Sequence, residues 1–73
     1  MTSDQASAIE QRIGARVLIA RTRRNLSARQ LGQLAGIHRN TIYRLESGIG
    51  NCSVVVIYQL AHALEVELSE LLP

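Results

Sequence analysis

Helix punctuation constrains this chain more than any other feature. Twice a serine is followed three residues later by a side chain that can return its hydrogen bond: Ser7 with Glu10, and Ser27 with Gln30. In such a pair the hydroxyl accepts from one free backbone N–H at a helix start while the Glu or Gln reaches back to another. Helices are therefore expected to begin near Ala8 and at Ala28. In the first, Ile9, Ile13, Val17 and Ala20 recur at spacings of three and four and form one inward face, while Arg12, Arg16 and Arg23 point elsewhere. Asn25 can take the left-handed conformation that closes a helix.

The second start is reinforced by Leu26 and Leu31, placed as a hydrophobic staple. Its buried stripe is expected to be Leu31, Leu34 and Ala35, and Gly36 ends it. Ile37 and Ile42 staple the chain again around His38, giving a third helix from about Arg39 to Ser47 that buries Ile42 and Leu45 and stops at Gly48. Ser53 caps a fourth helix reaching Leu64 on the stripe Val54, Ile57, Leu60 or Ala61, and Leu64. Three consecutive valines favour a strand by propensity, but the helical period continues for three turns and no second strand is available to pair with them. A last helix covers Leu68 to Leu72 ahead of Pro73. The expected fold class is all-α: a flexible segment 1–7, then one compact five-helix domain over 8–73.

Size and charge narrow the function. At 73 residues the chain is one domain, with little core in which to carve a substrate cleft, so surface binding is favoured over catalysis. All eight cations are arginines between Arg12 and Arg44, a span of +8 with no acid in it. The six acids, Asp4, Glu10, Glu46, Glu65, Glu67 and Glu70, lie outside it. That asymmetry points either to a polyanion partner such as nucleic acid or to a solvated helix face. The single Cys52 cannot form an internal disulfide, so a reducing cytosol is expected. Met1 to Ala8 lacks the apolar core of a signal peptide, and the run Val54–Tyr58 is far below the roughly 20 residues that cross a bilayer. Cys52, His38 and His62 have no metal-ligand spacing, Asn51-Cys52-Ser53 matches a glycosylation sequon by chance, and nothing resembles a nucleophile–base pair. No metal, cofactor, small-molecule ligand or enzymatic activity is expected.

Two short capped helices around a tight glycine turn form a helix-turn-helix pattern. The stretch Leu26 to Gly48 resembles the helix-turn-helix of the lambda-repressor-like, Cro/CI-type (XRE) family of bacterial and phage regulators. The likeness extends upstream through Ile13-Gly14 and Arg21, and downstream through Asn51, Ser53, Leu60-Ala61, Ala63-Leu64 and Glu70-Leu71-Leu72. It implies that the third helix enters a DNA major groove. Arg39 and Arg44 would then pair with guanine and Asn40 with adenine. Thr41 would meet a thymine methyl or a phosphate, and His38 a base or a phosphate. Ser27 and Ser47 fall where the family commonly contacts phosphate, with Arg29, Arg23 and Arg24 as additional phosphate contacts. Arg21 and Glu46 match a pair the family uses as a structural ion pair. Ala28 departs from the family's frequent Gln, so that phosphate contact is expected to be missing. Gly32 replaces the usual Ala at the tight crossing, and the loop Ile49-Gly50-Asn51 lacks the basic residues of many relatives.

One reading helix specifies too few base pairs to single out a genomic site, so a homodimer on a palindromic operator is expected. Val55, Val56, Tyr58, Leu68, Leu71 and Leu72 are its candidate interface. The resemblance implies a cytoplasmic, nucleoid-associated protein of bacterial or phage type, such as a restriction–modification controller or a small Cro-like repressor. An antitoxin-type DNA-binding regulator is one alternative. A protein-interaction module that keeps the fold without DNA binding is another.

Overall fold

Thr2, rather than Ser7, opens the first helix of the computed structural model, which describes residues 1–49 and 53–73. The expectations for Gly50, Asn51 and Cys52, namely the cation-poor loop, the sequon and the thiol, lie outside the described residues. Helix α1 runs Ser3–Arg23. The Thr2 hydroxyl accepts from the Gln5 N–H at 3.2 Å, and the Gln5 side chain accepts from the Thr2 N–H at 2.8 Å. Residues 3–7, expected to belong to a flexible segment, are therefore its first turns, and Ser7 sits inside it. The sequence offers two capping boxes in series. The earlier one prevails because Ala6 and Ala8 are good helix formers and each added residue propagates an existing helix at little cost.

Four shorter helices follow: α2 (Ala28–Ala35), α3 (Arg39–Glu46), α4 (Val54–Leu64) and α5 (Leu68–Leu71). No strand occurs among the described residues. Asn25 adopts the left-handed conformation at φ 56°, and Ser53 caps α4 by accepting from the Val56 N–H. At about 1.5 Å per residue α1 is about 31 Å long, nearly the 34 Å long axis of the molecule. Helices α3, α4 and α5 pack against it, and α2 packs against α3 and α4. Every helix contributes a completely buried side chain to the single core: Val17, Leu31, Ile42, Leu60 with Leu64, and Leu71. Each such burial is worth about 1.5–3 kcal/mol.

Three apolar expectations are corrected. Leu34 is 63% exposed, because the buried face of α2 is Ala28, Leu31, Gly32 and, half-buried, Ala35. The small residues face the core where the backbones come close, and the bulky leucine one position away turns outward. Val54 is 67% exposed, and the buried stripe of α4 starts one turn later, at Ile57. Leu71, expected at a subunit interface, is in the core, since the single turn of α5 presses it against α1 and α4. Val56 and Leu68 are half-buried against that core as well. Leu72 falls just beyond α5 in extended backbone. The apolar surface left outside α4 and α5 is Val54, Val55, Tyr58 and Leu72.

Candidate nucleic-acid interface

The site is built on the α2–α3 corner. Ser27 and Gln30 exchange side-chain and backbone hydrogen bonds at 3.0 and 2.8 Å, fixing the start of α2. Gly36 ends the helix at φ 73°, a left-handed conformation that a side chain would strain. The Ile37 N–H then closes onto the Gly32 carbonyl at 2.9 Å. A Cβ at Gly32 would overlap the Ile37 carbonyl oxygen, so the absent methyl is what lets the turn lie so close to α2. Three residues, Gly36 to His38, thus suffice to redirect the chain into α3. His38 is the N-cap of α3, its Nδ1 accepting from the Asn40 N–H at 3.0 Å. The imidazole therefore caps the helix through Nδ1, and that bond leaves the ring proton of the neutral form on Nε2, able to donate.

The opposite end of α3 is tied to α1. Arg21 Nε donates to Glu46 Oε2 at 2.7 Å and Nη2 to Oε1 at 3.0 Å, while Nη1 donates to the Leu26 carbonyl at 2.9 Å. The two side chains retain only 14% and 7% of their exposure. One guanidinium therefore holds α1, the α1–α2 turn and α3 together. Its hydrogen bond to Glu46 raises the Arg21 pKa further above its ordinary value, against the opposing effect of burial, so the charge persists at every accessible pH. Beneath this pair, a Cβ at Gly14 would collide with the Leu45 carbonyl oxygen. The missing side chain sets how closely α1 and α3 approach.

With Ile42 and Leu45 buried, the rotation of α3 follows. At about 100° per residue, Asn40, Tyr43, Arg44 and Ser47 lie within roughly 50° of the direction facing away from the core. Arg39 and Thr41 stand roughly 90° or more to either side. All six are exposed, and no hydrogen bond or ion pair to a described residue engages the side chains of Arg39, Asn40, Thr41 or Arg44. Ser47 differs: its hydroxyl donates to the Tyr43 carbonyl at 2.8 Å. Tyr43, 52% exposed, was not among the sequence-derived candidates. The helical period alone could have found it, since it lies four residues from Arg39 and three from Asn40.

The remaining candidates divide. Ser27 uses an acceptor lone pair in its cap, and its hydroxyl hydrogen stays free to donate. Arg29 shares a shallow depression beside the turn with His38 and Arg39. Arg24 instead reaches Glu65 at the end of α4, at 3.0 Å across exposed surface. Arg23 lies with Arg16 and Glu70 on the flank of α1 that borders α5, where Arg16 Nη1 also meets the Glu70 carbonyl at 3.4 Å. The structure thus brings Arg29, His38 and Arg39 together beside the turn, with Ser27 at the start of α2 and Asn40, Thr41, Arg44 and Ser47 exposed along α3, while Arg23 borders α5 and Arg24 meets Glu65. Among the described residues no group of His, Cys, Asp and Glu side chains clusters as metal ligands would. No described helix is long and apolar enough to cross a membrane.

Comparison with known proteins agrees with this geometry. The helix-turn-helix family model HTH_3 matches residues 17–71. The restriction-modification controller protein C.AhdI from Aeromonas hydrophila superposes with a TM-score of 0.86 at 37% identity, over 89% of this chain and 94% of that one. Two further structures share the fold. The clp gene regulator ClgR from Corynebacterium glutamicum has a TM-score of 0.82 at 19% identity, over 86% of this chain and 67% of that one. An HTH_3 family transcriptional regulator from Vibrio cholerae has a TM-score of 0.87 at 21% identity, over 90% of this chain and 37% of that one. No match was found among curated protein sequences. The chain belongs to the XRE-type helix-turn-helix family HTH_3 and is a DNA-binding regulator.

Proposed function

We propose that the protein is a sequence-specific transcriptional regulator of the controller type, binding a palindromic operator as a homodimer with α3 in the major groove. It acts by binding alone, without catalytic chemistry, in a bacterial or phage cytoplasm. The observation that carries this reading is the outward face of α3. Arg39, Asn40 and Arg44 are exposed and unengaged by any described residue, on a helix whose other side is held by Arg21, Ile42 and Leu45. Two guanidiniums and a carboxamide on one rigid surface suit bidentate recognition of guanine and adenine edges. An interaction module would have no need of that chemistry. The likeness to a restriction-modification controller over nearly the full length of both chains supports the subclass. The apolar surface of Val54, Val55, Tyr58 and Leu72 supports a second copy as the partner.

Selection from random duplex DNA at fixed salt tests the reading. The expected result is an inverted repeat whose half-sites are centred about 34–36 Å apart. Sedimentation should show two chains per duplex, and Tyr58→Glu should yield a folded monomer with weakened DNA binding. Absence of any enriched sequence would favour the interaction-module alternative.

A further inference from the structure

We propose that Tyr43 is a specificity-determining residue whose ring packs against a thymine methyl in each half-site. The inference rests on the DNA-reading role of α3 and names a contact within it. The phase of the helix puts Tyr43 among the outward-facing residues, beside Asn40 and Arg44, because Ile42 and Leu45 are buried on the other side. Thr41, whose methyl was the sequence-derived candidate for thymine, is rotated roughly 110° away from that direction.

The chemistry of the face is otherwise polar. Arg39, Asn40 and Arg44 offer hydrogen bonds matched to purine edges, and none ends in an apolar group. Tyr43 is the aromatic ring in that set. No hydrogen bond to a described residue engages its phenol oxygen, and half of its surface is open. The phenol lies close enough to Arg21 to act on its charge, and the open half of the residue is what a base could meet. The thymine 5-methyl is the apolar group that the major groove presents, and covering it removes apolar surface from water on both sides.

Thymine-to-uracil replacement, position by position in the selected operator, tests this by deleting the methyl alone. For the wild type, one position per half-site should weaken binding about fourfold, the worth of one buried methyl group. Tyr43→Ala should bind with no penalty at that position, and Tyr43→Phe should keep it. Circular dichroism and the melting temperature establish that both variants fold. An unchanged uracil penalty in Tyr43→Ala would overturn the proposal, as would a wild type indifferent to uracil at every position. A Tyr43→Phe protein that has lost both the penalty and part of its salt dependence would overturn it in favour of a phosphate contact through the phenol. A wild type that selects no DNA sequence fails the underlying reading instead, and does so before any variant is made.

Discussion

The two sides of α3 use the same residue type in opposite ways. On the inner side Arg21 spends its guanidinium on Glu46 and the Leu26 carbonyl, and the charge is neutralised within the fold. On the outer side Arg39 and Arg44 are exposed, with no acid among the described residues paired to them. An eight-residue helix is too short to be stable by itself. Its inner contacts supply the rigidity and its outer face supplies the hydrogen-bonding capacity. An α3 anchored only by apolar packing could rotate or slide. The bidentate pair fixes its register against α1, which in turn fixes which residues face outward.

The largest expected effect comes from breaking the inner side. Glu46→Ala leaves the Arg21 guanidinium buried without its acid and should cost about 3–5 kcal/mol in urea unfolding. A loss below about 1 kcal/mol would mean that the pair does not anchor α3. Gly14→Ala tests the same junction sterically. Forcing α1 and α3 apart should cost about 1–3 kcal/mol, although alanine is the better helix former by about 1 kcal/mol. A variant that melts higher than wild type would show that the helices are not in such close contact.

The outer side should respond in the opposite way. Arg44→Ala should weaken operator binding by about 1–3 kcal/mol per half-site and relax preference at one base pair, while changing the folding free energy by less than about 0.5 kcal/mol. Unfolding and DNA titration of the same preparation separate the two quantities. A stability loss as large as the binding loss would erase the distinction between the sides. The smallest effect is expected at Arg24. Its pair with Glu65 is exposed, so Arg24→Gln should cost under about 0.5 kcal/mol of stability. If Arg24 leaves Glu65 for a phosphate, the log–log salt slope of binding should fall by about 0.9 for each protomer, about 1.8 for the dimer. An unchanged slope would assign Arg24 to the surface pair alone.

Much of this was legible along the chain, for an identifiable reason. Caps and stops act within one turn, so Ser27 with Gln30, Gly36, Ser53 and Asn25 announced their own geometry. The same locality produced the error at Ser7, where two competing boxes are each adequate and the longer helix wins. Leu34 and Val54 were misplaced because the hydrophobic period gives a face only when bulky residues carry it. On α2 the close-packed face is made by Ala28 and Gly32, whose value lies in what they lack. Leu71 was assigned outward for want of the one fact that a linear reading does not contain: the groove between α1 and α4 has room for it. Tyr43 carries no hydrogen-bonding pattern matched to a base edge, so only the period that buries Ile42 and Leu45 marks it as facing outward.

By itself, then, the sequence determined to within a residue where each helix starts and stops, apart from the start of the first, and that eight arginines fall in one acid-free span. Those are short-range facts, set by backbone hydrogen bonds and by charge order. The family resemblance pointed to Arg21 with Glu46, but only the tertiary structure decided which arginines are buried and which are open. Burial makes an unpaired charge costly, so Arg21 acquires Glu46. Exposure makes pairing nearly indifferent, so Arg24 meets Glu65 loosely, while Arg44 stays open on the outward face of α3 and Arg39 on its flank.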